Sequence, residues 1–337
     1  MARASEFCLW GIAASVAILP LDAAFGQGGY EIWVTNQRLN KVQVLDGDSL
    51  KVVAEIPAGT KPHNITFSRD GGRAYVANAG SNDFTVIDAK TRRPIETVPG
   101  GKASHHVAVS PDDKLLLVSN HHDDTVIFYD AKSLKRLQVL NVGKPPAMAV
   151  FIPDGKKAYV SNGRDAIISV IDVPKREVVG TIPNVGKQAM GLAITADGKR
   201  MVVTGGGDNR YWIIDTETEK VVVDVVSGKD PHGVAITPDG RHALIPNRQS
   251  NDVGLVEIAT GKIVQTIGRV GDTPDFIAVS PDGRFAFVTL RGEAVTGDSK
   301  PHSGEEPGIG VIDLKALQGV KALTLRGDPH GIAVRER

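Results

Sequence analysis

Seven times this chain repeats nearly the same phrase. In order the phrases are HNITFSRDG, HHVAVSPDD, AMAVFIPDG, MGLAITADG, HGVAITPDG, DFIAVSPDG and HGIAVRER. Six carry the aspartates Asp70, Asp112, Asp154, Asp197, Asp239 and Asp282, spaced by 42, 42, 43, 42 and 43 residues. A repeat of this length cannot bury an apolar face alone, so its copies must stack against one another. Each copy is followed by a second phrase: WVTN, YVAN, LVSN, YVSN, VVTG, LIPN or FVTL. A third segment ends on an acid at Asp46, Asp88, Asp130, Asp172, Asp215, Glu257 or Asp313.

Within each copy the order is constant. A short apolar strand meets an Asp-Gly-type turn, which favours a tight hairpin. A β-branched or aromatic strand then ends at Asn, and two more strands follow across polar turns. Four short strands recurring about every 42 residues define the blade of a β-propeller. The chain opens with a second-strand phrase, EIWVTN, and finishes on a first-strand phrase, GIAVRE. Residues 331–335 are therefore expected to complete the blade begun by residues 31–57. The predicted fold is all-β: a seven-bladed propeller of four-stranded antiparallel blades over residues 29–337. Its ring is closed by joining the C-terminal first strand to three N-terminal strands, which leaves no open edge at the seam.

Residues 1–26 have a different character. A basic start at Arg3, an apolar run from Cys8 to Leu21 and Ala24-Phe25-Gly26 form a secretion signal with cleavage expected near Gly26. The apolar run is shorter than the roughly 20 residues of a membrane span. A periplasmic or secreted protein is expected, and its mature part would have no cysteine for a disulfide, a thiolate ligand or a thiol nucleophile. Lys+Arg and Asp+Glu balance at 39 each, which argues against broad attraction to nucleic acid or an anionic membrane. A monomer is expected.

The phrases WVTN, YVAN and YVSN, each followed by a V-I-D-type strand and preceded or followed by SPDG, resemble the YVTN-repeat propellers. The resemblance covers nearly all of residues 29–337. It implies the seven-bladed fold and leaves function open, because a fold hosts many functions. Propellers of similar architecture include lactonases and lyases, the copper propeller of nitrous oxide reductase and the haem-binding propeller of nitrite reductases. This chain lacks a C-x-x-C-H haem attachment.

In a propeller, the loop before the first strand and the loop after the second share one face. Of the nine histidines, His63, His105, His106, His232 and His330 begin or precede first strands. His121 and His122 follow Asn120, and His302 lies in an insertion, all on the same face. Only His242 belongs to the opposite end. Aligned first strands place His63, His105, Ala147, Met190, His232, Asp275 and His330 around the channel mouth. Imidazole, thioether and carboxylate converging there make His63, His105, His232, His330, Met190 and Asp275 candidate ligands for copper or zinc. Five arginines, Arg38, Arg164, Arg210, Arg248 and Arg291, follow second strands on that face, where guanidinium forks suit carboxylates and phosphates. The ligand site is accordingly placed at His63, His105, His232 and His330 with Arg164 and Arg248 in support. The insertion 291–308, rich in Gly, Ser and Pro, is a candidate lid. The expected function is a secreted propeller that binds a small anionic ligand, a metal or a partner protein. The alternatives are a metal-assisted lactonase- or lyase-like enzyme and a copper- or haem-associated redox propeller.

Overall fold

The computed structural model describes residues 29–292 and 307–337. The secretion signal at 1–26 and all but the ends of the insertion lie outside the described residues. The described chain forms seven four-stranded antiparallel sheets arranged in a ring. In six of them the four strands follow one another in sequence. The seventh joins the C-terminal strand Pro329–Glu336 to Tyr30–Asn36, Lys41–Asp46 and Val52–Pro57. Its register pairs Tyr30 with Glu336 and Trp33 with Ala333, as the truncated first and last phrases require. We count this closing blade as the first.

The turn chemistry explains why the repeat is spelled as it is. In five blades a Ser or Thr hydroxyl donates to the Asp carboxylate two residues on, from Ser68, Ser110, Thr195, Thr237 and Ser280 at 2.6–2.8 Å. That carboxylate then accepts the amide two residues further along, as at Gly72 and Arg241. The glycine of the turn sits in the left-handed region, with φ of 71° at Gly240. In the third blade Asp113 occupies that position at φ 56°, which a short polar side chain tolerates.

Packing runs between blades. Second strands are almost wholly buried, whereas outer strands such as Arg93–Pro99 are mostly exposed. Trp33 and Val44 of the first blade pack on Ile65 and Val76 of the second. Leu117 and Phe128 of the third pack on Phe151 and Val160 of the fourth. Full burial of each such side chain contributes about 1.5–3 kcal/mol. Both faces of an inner strand thus carry apolar residues, because each faces a neighbouring sheet.

The third and fourth letters of the YVTN phrase hold the ring together. Thr35, Ser119, Ser161, Thr204 and Thr289 donate their hydroxyls to the carbonyls of His63, Ala147, Met190, His232 and His330 in the next blade. Ala77 and Pro246 stand at the other two junctions. The buried Asn of the phrase ties down the preceding loop. Asn36 donates to the Arg326 carbonyl at 2.7 Å and accepts the Asp328 amide at 3.0 Å.

Candidate functional site at the channel mouth

Each first strand begins with an irregularity. The inner ladder slips between Pro62 and Ile65, between Ser104 and His106, and at equivalent places in the fourth, fifth and seventh blades. A break of this type re-aims a side chain away from the sheet face. The residue at the break is the one expected at the mouth. In the sixth blade the break is wider: only Ala235–Ile236 remains as strand, because the Gly233 amide bonds the Asp275 carbonyl of the next blade at 3.0 Å. A Cβ on Gly233 would lie 2.7 Å from that carbonyl oxygen, so the glycine of Pro-His-Gly is what allows the blades to approach.

The structure brings His63, His105, His232, His330 and Asp275 together. The His63 ring lies 3.8 Å from that of His105 and 3.9 Å from that of His330, centroid to centroid. Asp275 is fully buried, with Oδ1 3.4 Å from His232 Nε2 and Oδ2 3.4 Å from His330 Nε2. Phe276 fills the space between, 5.0 Å from His330 and 5.2 Å from His232. Nothing in the repeat pattern marks Phe276, which follows an aspartate at a position where three repeats have glycine. His106 turns into the blade instead, between Thr66 Oγ1 and the Ala149 amide.

Burial, reinforced by neighbouring imidazoles and guanidinium groups, holds His63, His105, His232 and His330 well below the ordinary histidine range. They are neutral imidazoles. Burial pushes Asp275 upward, while Arg291 and Arg248 oppose the shift. The His330 Nδ1 stands 3.2 Å from the His63 carbonyl, an acceptor, so the proton of that nitrogen is fixed there. The buried Nδ1 atoms of His105 and His232 have no hydrogen-bond partner.

Among the described residues, no group of three or more His, Cys, Asp or Glu is disposed to hold a metal ion. The His63 ring is tilted by 40° to that of His105 and by 56° to that of His330, and Nδ1 of His63 and of His330 face the Asn64 side chain and the His63 carbonyl.

The arginines divide by partner. Arg248 forks onto Asp230 at 2.9 and 3.0 Å, and Arg291 forks onto Asp328 at 3.0 and 2.9 Å. Both also approach Asp275, at 3.8 and 3.3 Å. Arg210 pairs outward with Asp224. Arg164 is exposed and has no ion pair among the described residues. Acids of these loops are engaged with backbone: Asp123, Asp165 and Asp208 accept the backbone amides of Lys102, Lys144 and Lys187.

Beside the histidines opens a cavity of about 770 Å³. His121, Arg164, Lys187, Met190, His232 and Arg248 line it, and no carboxylate does. His121 and Lys187 were missed as site residues. The position of His121 after Asn120 puts it on this face, but nothing in the sequence separates it from its neighbour His122, and a lysine in a polar loop such as Lys187 carries no sign of its own. A second cavity of about 760 Å³ lies at the opposite end beside His242, but Asp197, Asp239 and Glu257 line it along with its cations.

Comparison with known proteins agrees with this architecture. A family model described as YNCE-like beta-propeller matches residues 106–238, and one described as Cytochrome D1 heme domain matches residues 32–145. Hydrazine synthase of Kuenenia stuttgartiensis superposes with a TM-score of 0.66 at 24% identity, over 75% of this chain and 77% of that one. A functionally unknown protein from Desulfotomaculum acetoxidans gives a TM-score of 0.77 at 14% identity, over 90% of this chain and 98% of its own. The dihydro-heme d1 dehydrogenase NirN, solved in complex with DHE, gives 0.66 at 18% identity, over 91% of this chain and 75% of its own. At these identities the likenesses show the fold. Comparison with curated protein sequences gives no significant match. The chain is a seven-bladed β-propeller, in keeping with the family resemblance in its repeats.

Proposed function

We propose that this protein is a haem-associated redox propeller that seats a carboxylated tetrapyrrole in the cavity beside the channel mouth. The observation that carries the reading is the cavity itself. It has the volume of a cofactor pocket, walls with no carboxylate, two cations without ion pairs at Arg164 and Lys187, and neutral imidazoles. The donor chemistry supports a macrocycle over a bare ion. A free copper or zinc ion needs three or four protein ligands, whereas iron held by four ring nitrogens needs only one or two. The match of residues 32–145 to a haem-domain model supports it further, because His63, His105 and His121 fall within that span.

In this reading Arg164 and Lys187 hold the peripheral carboxylates, and Arg248, fixed by Asp230, adds positive potential. Phe276 and the packed imidazoles close the channel beneath and limit water. Asp275 lies 3.4 Å from the Nε2 atoms of His232 and His330. Bound there, such a group supplies one-electron chemistry at its iron. With Cys8 its single cysteine, this sequence has no C-x-x-C-H site for a thioether-linked haem, so the group would be held without covalent attachment through cysteine. The signal at residues 1–26 would place the exchange outside the cytoplasm.

Binding of hemin and of its dimethyl ester, followed by absorbance, tests the proposal. Hemin is expected to bind more tightly than the ester, and Arg164→Ala with Lys187→Ala should remove the difference. Equal affinity for the two in the wild type would refute the carboxylate clamp. No binding of either would refute the function.

A further inference from the structure

We propose that His121, and not any of the four channel-mouth histidines, is the imidazole that coordinates the iron of a macrocycle bound in the cavity. This rests on the haem reading above and goes beyond it by naming one nitrogen.

The argument is one of elimination and of orientation. His63 has its Nδ1 3.1 Å from the Asn64 amide group and its ring sandwiched between His105 and His330. His330 has its Nδ1 on the His63 carbonyl and its Nε2 3.4 Å from the buried Asp275, and, like His63, it does not line the cavity. His232 lines the cavity, but its Nε2 faces Asp275 and its Nδ1 is sealed from solvent. His105 does not line the cavity. His121 does, and it is only partly buried.

Its environment has the form that a ligating histidine takes. The Nδ1 of His121 lies 3.1 Å from the Pro146 carbonyl. A carbonyl only accepts, so Nδ1 carries the proton and the lone pair is left on Nε2. Histidines that bind metal usually donate their other N–H to a carbonyl or carboxylate, which fixes the tautomer and the ring plane. The ring is braced by stacking on His105 at 5.1 Å with 18° between planes. No described residue bonds Nε2. Two elements converge to make this: Asn120, which ends a second strand, places His121, and the following blade supplies Pro146 at the start of its first strand. The neighbouring His122 is exposed and lies off the cavity wall, which makes it the natural control.

The experiment titrates wild type, His121→Ala, His121→Met and His122→Ala with hemin and with iron-free protoporphyrin IX. It reads the Soret band, the electron paramagnetic resonance spectrum and the affinity. Wild type and His122→Ala are expected to show one imidazole-ligated species. His121→Ala should lose that signature and bind hemin more weakly, by at least the roughly 10- to 100-fold that even an outer partner of a ligand is worth. Added imidazole should restore the spectrum. Protoporphyrin IX, having no iron, should bind wild type and His121→Ala alike, which also shows that the variant is folded. His121→Met should keep hemin but shift its spectrum. Hemin bound by His121→Ala with wild-type spectrum and affinity overturns the assignment and leaves the haem reading standing. Wild type that binds neither porphyrin overturns both.

Discussion

Gly331 illustrates how a single residue sets the geometry of the mouth. It follows His330 in the closing blade, and a Cβ there would lie 2.4 Å from the His63 carbonyl oxygen and 2.8 Å from the Asn64 Cα. Those are backbone atoms, which cannot swing aside as a side chain would. Gly331→Ala is expected to destabilise the protein by about 1–3 kcal/mol through overpacking. It should also disturb the contact between the His63 and His330 rings. Chemical denaturation checks the first effect, and an unchanged midpoint would show that the blades can part at that junction without penalty. The same reasoning applies to Gly233 after His232, where a Cβ would meet the Asp275 carbonyl oxygen and the Phe276 Cα.

At the scale of elements, the decisive piece is the C-terminal strand Pro329–Glu336. It pairs along Tyr30–Asn36, and its side chains also reach across the seam. Glu31, 1% exposed, gathers Arg92, Arg335 and Arg337 around its carboxylate and accepts the Trp33 indole N–H at 2.8 Å. Those bonds hold the Glu31 carboxyl below its usual range against the opposing effect of burial. Deleting residues 331–337 should expose the edge of the Tyr30–Asn36 strand, strand a buried carboxylate and lower the melting temperature of the whole ring. Thermal unfolding measures this. A truncated protein that melts like the full chain would mean the ring is not closed by this strand.

For the whole molecule, the number of buried histidines predicts acid lability. Burial pushes His106 down to about 4 from the ordinary 6.5, and the channel-mouth histidines are shifted in the same direction. Between those pH values the unfolded chain binds protons that the folded chain refuses, so stability falls as pH falls below about 6.5. For His106 alone the loss approaches about 3 kcal/mol once pH reaches the folded value. Asp275, raised by burial, works in the opposite sense by taking up a proton in the folded state, and it is one group against five. The melting temperature is expected to be clearly lower at pH 5 than at pH 7, with a smaller difference in His106→Asn. Equal melting at both pH values in the wild type would contradict the neutral, buried state of these rings.

The blade count, the four-stranded unit and the closing strand were legible in the sequence, because a repeat length and two incomplete ends leave one arrangement that buries every face. The ring of mouth positions was legible for the same reason: residues at one place in a repeat occupy one place in the ring. What the alignment could not show is direction and distance at the level of side-chain atoms. It put His106 beside His105, but neighbouring residues on a strand point to opposite sides, and His106 went into the core. It put Arg248 and Arg291 on the face as forks suited to carboxylates, but it did not show that Asp230 and Asp328, 18 and 37 residues away, are the carboxylates that hold them. It put His63, His105, His232 and His330 at one mouth, and the fold adds that His63 lies in tilted ring contact with both His105 and His330. His121, Lys187 and Phe276 gained their places only when neighbouring blades met. A periodic sequence determines a periodic backbone, but a site is made where the repeats differ, and those differences interact across blades through contacts that only the tertiary structure brings within reach.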